Sequence, residues 1–423
     1  MAQNTPLPLA RQRPTRSAGA ILRTVGTGGT RWPTPARSLY IHVPFCFHKC
    51  HYCDFYSIVD TRDRQPAFVD RLIRELGALA PYSGGEPLKT IFVGGGTPSL
   101  LRPDLWQLLL AAMRDRFNLS EIVRGTGEFT VECNPETVTD ELISTLVQGG
   151  VNRVSMGAQS FNPAHLKTLE RWHDPASVAK ALDVARRGGV PRQSLDLIFA
   201  IPGQTLEDWR CDLRAALDLG TTHLSCYDLT YEPNTAMTAR RNRGEFSPAP
   251  EDLEIEMFEE TLRAVRAKGL ERYEVSNFAR PGDEARHNLA YWRQEAWLAA
   301  GPSASGHFGG HRWKNSPRLD DYLSCDDDGF APIADHEGPD PVRALSERIM
   351  TGLRLDEGLD RRLLLSAASA LPGGSRSDGV RAAAERFVRS GHLTVSEERW
   401  ILSDSGFLIA DAVAGEMMAA LGG

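Results

Sequence analysis

The chain predicts an α/β protein: a parallel sheet flanked by helices, followed by a smaller helical module with one hairpin. Three observations carry this. Six short apolar strands alternate with helical periodicity between Ser38 and Gly269, the pattern of right-handed βαβ units. Polar motif residues stand at the C-terminal ends of those strands, where barrels and open α/β sheets alike keep their sites. After Val342 the alternation gives way to helices interrupted by a hairpin. Periodicity alone leaves an open sheet and a partial barrel equally available.

At 423 residues, one large domain and a smaller one are expected. A content of 41% hydrophobic and 24% charged residues is that of a soluble globular protein. No apolar run approaches the ~18 residues of a membrane span. A net charge of −7 argues against general nucleic-acid binding. Three of the seven cysteines share one loop, and Cys133, Cys211, Cys226 and Cys325 are scattered. That is no disulfide framework; it suits a reducing, cytoplasmic compartment, with the scattered four as small buried hydrophobes.

Residues 1–37 hold six arginines and no acid, and read as a disordered basic tail. The same composition is found in transit peptides, but no sustained amphipathic helical pattern runs through it. The α/β unit spans 38–276. Leu39, Tyr40, Ile41 and Val43 form its first strand, ended by Pro44. Phe68, Leu72, Ile73, Leu76 and Leu79 recur at helical spacing over Pro66–Ala80. Strands follow at 90–93, 129–132, 153–156, 194–198 and 223–229, separated by helices at 103–117, at 140–148, up to Gly188 and up to Leu219. A helix from Pro250 to Gly269 has Pro early and Gly late, the usual punctuation. Residues 277–341 read as a linker, loop-like from Arg286 to His311. The last unit, 342–423, has helices around Leu345–Leu353, Leu363–Leu365 and Ala382–Val388. A hairpin at 393–402 and a helix at 404–421 then give a winged-helix-like layout. Its final helix has no Lys or Arg, so a docking or structural role fits better than DNA binding.

Cys46, Cys50 and Cys53 lie in the spacing C-x3-C-x2-C, directly after the first strand. Three thiolates can hold a soft metal centre but cannot close a four-coordinate site. In a [4Fe–4S] cluster they would leave one iron open; a structural zinc would need a fourth ligand, for which His48 or His51 is available. Gly94-Gly95-Gly96-Thr97-Pro98 ends the second strand, and its glycines allow a ligand to approach the backbone closely. Glu132, Gln159 and Asp196 close the third, fourth and fifth strands. A carboxylate such as Glu132 accepts hydrogen bonds well from ribose hydroxyls, or is simply a paired buried acid. Arg171 is either a bidentate carboxylate partner or a solvated surface charge.

The Cys loop with Tyr52 before its last cysteine resembles the radical S-adenosylmethionine (SAM) enzymes. Tyr40-Ile-His-Val-Pro-Phe45 and Gly94–Pro98 are similar to the coproporphyrinogen oxidase/HemW branch. The resemblance spans roughly Ser38 to Met418 and implies a partial (β/α)6 TIM-like barrel with a [4Fe–4S] cluster on Cys46, Cys50 and Cys53. It implies that Tyr40, Gly95 and Glu132 contact SAM. Tyr52, Gly96, Thr97, Gln159, Arg171 and Asp196 match positions that hold a second SAM in the oxidase branch.

Two features separate the branches. Oxidases of this family carry a fourth cysteine two residues after the third, where this chain has Phe55. Arg286-His287-Asn288-Leu-Ala-Tyr291-Trp292 matches the H-N-x-x-Y-W motif of the haem chaperones. Imidazole is a usual haem ligand, and Tyr and Trp can wall a porphyrin. Many relatives also carry His where Ser305 stands, with His307 and His311 nearby in this chain. The resemblance implies a haem chaperone whose partners are haem and haem-requiring respiratory proteins, with a homodimer left open. The alternative is an oxygen-independent coproporphyrinogen III oxidase.

Overall fold

In the six parallel strands, every second residue is apolar and faces outward, while the residues between them are largely polar and face inward. The computed structural model describes residues 16–25, 34–325, 327–371 and 375–422. The strands are β1 (Ser38–Val43), β2 (Thr90–Gly95), β3 (Glu128–Cys133), β4 (Arg153–Gln159), β5 (Arg192–Phe199) and β6 (His223–Asp228). They pair parallel in sequence order. Ile41, Val93, Val131, Val154, Leu195 and Leu224 are buried in one continuous core with residues of the surrounding helices. Phe68, Leu72, Leu76 and Leu79, on the Gln65–Leu79 helix, come from that outer layer. Tyr40, Phe92, Thr130, Ser155, Asp196 and Ser225 alternate with these apolar residues and line a hollow interior. The partial barrel implied by the family resemblance is the architecture found.

The twelve-stranded sheet continues beyond the six parallel strands at both edges. Past β6 come β7 (Glu271–Glu274) and β8 (Asn277–Ala279), both antiparallel to their neighbours. On the other side β9 (Trp297–Ala300) pairs parallel with β1. Then follow β10 (Ser305–Phe308), β11 (His311–Asn315) and β12 (Ile333–Glu337). This corrects the expectation of a loop-like 286–311: the segment holds a helix, Arg286–Trp292, and two strands. Each of those strands has only four residues, too few for alternation to register. Two buried charges hold them in place. The Glu75 carboxylate accepts from Gly301 N–H, Asn315 Nδ2 and Tyr322 O–H, and Arg71 donates to the carbonyls of Tyr322, Gly329 and Phe330.

Within the N-terminal stretch, the structure also departs from a featureless tail. Ala18–Val25 is helical, with Ala18, Ile21 and Leu22 buried, and Ala18 N–H donates to Ala331 C=O. One eight-residue helix is too short to stand out in an Arg-, Pro- and Gly-rich stretch. The rest of the expected tail, residues 1–15 and 26–33, lies outside the described residues.

A second core gathers Leu345 to Leu421 around β13 (Leu359–Asp360), β14 (Leu393–Ser396) and β15 (Arg399–Leu402). The expected single helix at 404–421 is two, Asp404–Phe407 and Ala410–Ala419. Ser403 caps the first, and Ile409 leaves helical geometry between them. Arg272 joins the two cores: its guanidinium sits 3.6 Å over the Phe407 ring and pairs with Asp356 and Asp404.

Candidate functional site: two cavities in one barrel

The mouth of the barrel is built from the loop after β1 and the glycine turn after β2. Gly96 N–H donates to Val43 C=O at 2.8 Å and Thr97 N–H to Phe45 C=O at 2.7 Å, so the turn carries the Cys loop. A side chain at Gly96 would meet those same carbonyls, and Gly95 has φ +103° with the His42 ring against its Cα. These glycines therefore serve the close approach of two strand ends as well as any ligand.

Cys46, Cys50 and Cys53 line a cavity of ≈ 800 Å³. Tyr52, Gly96, Thr97, Gln159 and Arg171 line it too. The Cys46 sulfur lies 3.4 Å from Thr97 Oγ1, and Arg171 Nη1 lies 3.8 Å from the Cys50 sulfur. Arg171 is neither a solvated surface charge nor paired with a carboxylate in the contacts seen. Its Nη2 donates to Gly157 C=O and its Nε to His173 Nδ1. Burial pushes the Cys53 thiol up to about 12 and raises Cys46, so a metal is what would draw the protons off. The donor set fits a [4Fe–4S] cluster: three sulfurs on one loop, all lining one roomy cavity. The zinc alternative is not supported: no three His, Cys, Asp or Glu side chains among the described residues are grouped to hold a single metal ion. His48 stacks on Trp172 at 3.9 Å, and His51 Nδ1 accepts from Arg240.

Gly95, Glu132 and Asp196 line this cavity and a second one of ≈ 660 Å³, which runs from Lys49, Asp54 and Phe55 of the Cys loop inward to Thr130, Arg153 and His287. Glu132 Oε2 accepts from Gly95 N–H at 3.1 Å. Burial, with Asp196 nearby, raises Glu132 to about 7. Burial also raises Asp196, against the hydrogen bonds it accepts from Ser225 and Ser155.

Tyr40, His287, Asn288 and Tyr291 line the inner cavity, so the H-N-x-x-Y-W helix closes its floor. That helix is pinned from below by residues the motif search missed. Glu128, at the start of β3, accepts from the backbone N–H groups of Arg286 and His287, both at 3.1 Å. Thr90, at the start of β2, lies 2.8 Å from His287 Nδ1 and donates its own proton to Ser38. Thr90 thus accepts from Nδ1–H, which leaves Nε2 with its lone pair. Nε2 is buried with no hydrogen-bond partner among the described residues. Burial alone lowers His287 to about 3, so the ring is neutral and able to bind a metal.

The motif does not stay together. Trp292 is absent from the cavity lining and lies near Glu274 instead. Trp297 on β9 lines the cavity in its place, with Phe92 two strands away on β2. Ser305 lines the cavity. His307 packs outside it against Trp297 at 4.9 Å, and His311 pairs with His336. The missed residues share one signal: polar or aromatic side chains at every second position of otherwise apolar strands.

The family model for the radical SAM superfamily matches residues 40–215. The chain is 32% identical over 385 residues to the haem chaperone HemW of Bacillus subtilis, covering 91% of this chain and 100% of that protein. It is 33% identical over 384 residues to the Escherichia coli haem chaperone HemW, covering 90% and 97%. Among solved structures it resembles the Escherichia coli coproporphyrinogen III oxidase HemN. The TM-score there is 0.78 at 21% identity, covering 96% of this chain and 94% of that one. At that identity the likeness speaks for the fold.

Proposed function

The chain belongs to the HemW family of the radical SAM superfamily, and on that footing we propose that it is a haem chaperone. Cys46, Cys50 and Cys53 hold a [4Fe–4S] cluster, and SAM lies beside it against Tyr40, Gly95 and Glu132. Tyr52, Gly96, Thr97, Gln159, Arg171 and Asp196 complete the mouth, with room for a second SAM. When bound, cluster and SAM supply an electron and a cleavable sulfonium. The residues around them shield the site, and Glu132 accepts the ribose hydroxyls. Haem occupies the inner cavity against His287, Asn288 and Tyr291, and passes to haem-requiring respiratory proteins in the cytoplasm. Trp292 lies outside that cavity, near Glu274.

The observation that carries this reading is the unpartnered, neutral His287 Nε2 at the floor of a cavity walled by Tyr40, Phe92, Tyr291 and Trp297. Phe55, 60% exposed at the mouth, stands where an oxidase would have its extra cysteine. Anaerobic incubation of the reduced protein with coproporphyrinogen III, beside a haem titration, tests the reading. Haem binding with no divinyl product is expected; steady turnover would favour the oxidase.

A further inference from the structure

Among the described residues, three buried polar atoms without a hydrogen-bond partner belong to residues lining the inner cavity: Thr130 Oγ1, Arg153 Nη2 and His287 Nε2. The three residues are 1%, 2% and 1% exposed. Leaving such atoms unpaired is unfavourable, most of all for a charged group. Arg153 is already partly engaged: Nη1 donates to Asp283 C=O at 2.9 Å and lies 3.8 Å from Glu128. Glu128, however, spends its oxygens on the motif helix, so it does not reach round to Nη2. Thr130 and Arg153 are register partners across β3 and β4, which sets their side chains side by side on the inner face.

The three atoms ask for different things. A guanidinium N–H can only donate, a threonine hydroxyl can donate, and the His287 lone pair can only accept or bind a metal. A carboxylate satisfies the first two, and the aromatic walls suit a flat apolar body. The geometry points to a carboxylate subsite on Arg153 and Thr130 at the closed end of the barrel, which takes a propionate arm of the porphyrin. This rests on the haem reading above and adds how the ligand is oriented: one acid arm goes down to the floor instead of out to solvent. SAM is the other carboxylate-bearing ligand, and the test separates the two.

Full-length protein is titrated with haem, with haem dimethyl ester and with SAM, as parent and as Thr130→Val and Arg153→Lys. Valine suits a strand and leaves the Arg153–Glu128 pair intact, so that variant keeps the test alive where the arginine change unfolds the barrel. The parent is expected to bind haem about tenfold more tightly than its diester, a gap that Thr130→Val closes while SAM affinity stays unchanged. Equal affinity of parent for acid and ester, or a gap that Thr130→Val leaves intact, overturns the subsite alone. Weakened SAM binding with unchanged haem binding assigns it to SAM and overturns the porphyrin reading of it. No haem binding by any of the proteins removes the chaperone reading and the subsite together.

Discussion

The two ends of this barrel solve opposite problems. At the mouth, strands run out into loops, glycines let backbones touch, and Phe47, Phe55 and Trp172 stand 60–72% exposed around three cysteines. At the floor, Ser38, Thr90, Glu128, Arg153 and His287 are buried and form one connected polar set. The ends are five strand residues apart, about 16 Å. An open loop can gather a cluster whose ligands arrive after folding. A buried polar floor must be completed by the fold itself, and it is stable only where each group has a partner or a ligand.

The largest effect expected from breaking this contrast is at the mouth. Cys46→Ala, Cys50→Ala or Cys53→Ala should each abolish the [4Fe–4S] absorption and most of the bound iron. Ser at Cys133, Cys211, Cys226 or Cys325 should leave iron content at the parent level. Retention of full iron by Cys46→Ala would remove the cluster assignment.

Next comes the floor. His287→Ala should weaken haem binding tenfold or more, read from the visible titration, with iron and sulfide per chain unchanged. Trp292→Ala should lower the melting temperature more than it changes haem affinity, because its indole is not part of the cavity lining. A large loss of haem affinity in Trp292→Ala at unchanged stability would return that ring to the pocket wall.

How much of each end could be read from the sequence follows from the same contrast. The mouth was legible, because Cys46, Cys50, Cys53 and Gly94–Gly96 are contiguous runs whose spacing is itself the site. The β1–β6 strands were legible from their outward residues, such as Val93, Val131 and Leu195. The floor was not, apart from the motif helix. Thr90, Glu128, Thr130 and Arg153 come from the beginnings of three different strands and meet only when the sheet pairs. Each in isolation reads as an ordinary strand-start polar residue. The β9–β12 edge was missed for a related reason, since Glu75 and Arg71, which hold it, look like two charges on an amphipathic helix.

A smaller effect sits between the two ends, at Glu132. With its carboxyl raised to about 7, it is mostly protonated at pH 6 and mostly ionised at pH 8. Only the ionised form accepts from both ribose hydroxyls, so SAM should bind several-fold more tightly at pH 8 than at pH 6. Glu132→Gln should bind SAM weakly with that pH dependence gone; an unchanged pH profile in Glu132→Gln would place the nucleoside elsewhere. The smallest expected effect is His51→Ala, which should change neither iron nor zinc content, since its Nδ1 is engaged by Arg240.

The central claim is that one barrel holds two separable sites, a metal mouth and a haem floor. A haem titration of the cluster-free Cys46→Ala/Cys50→Ala/Cys53→Ala protein, repeated with His287→Ala added, tests it most directly. The triple variant should bind haem within about twofold of the parent, and the added change should weaken that binding tenfold or more. Haem affinity that vanishes with the cysteines, or that is indifferent to His287, would contradict it.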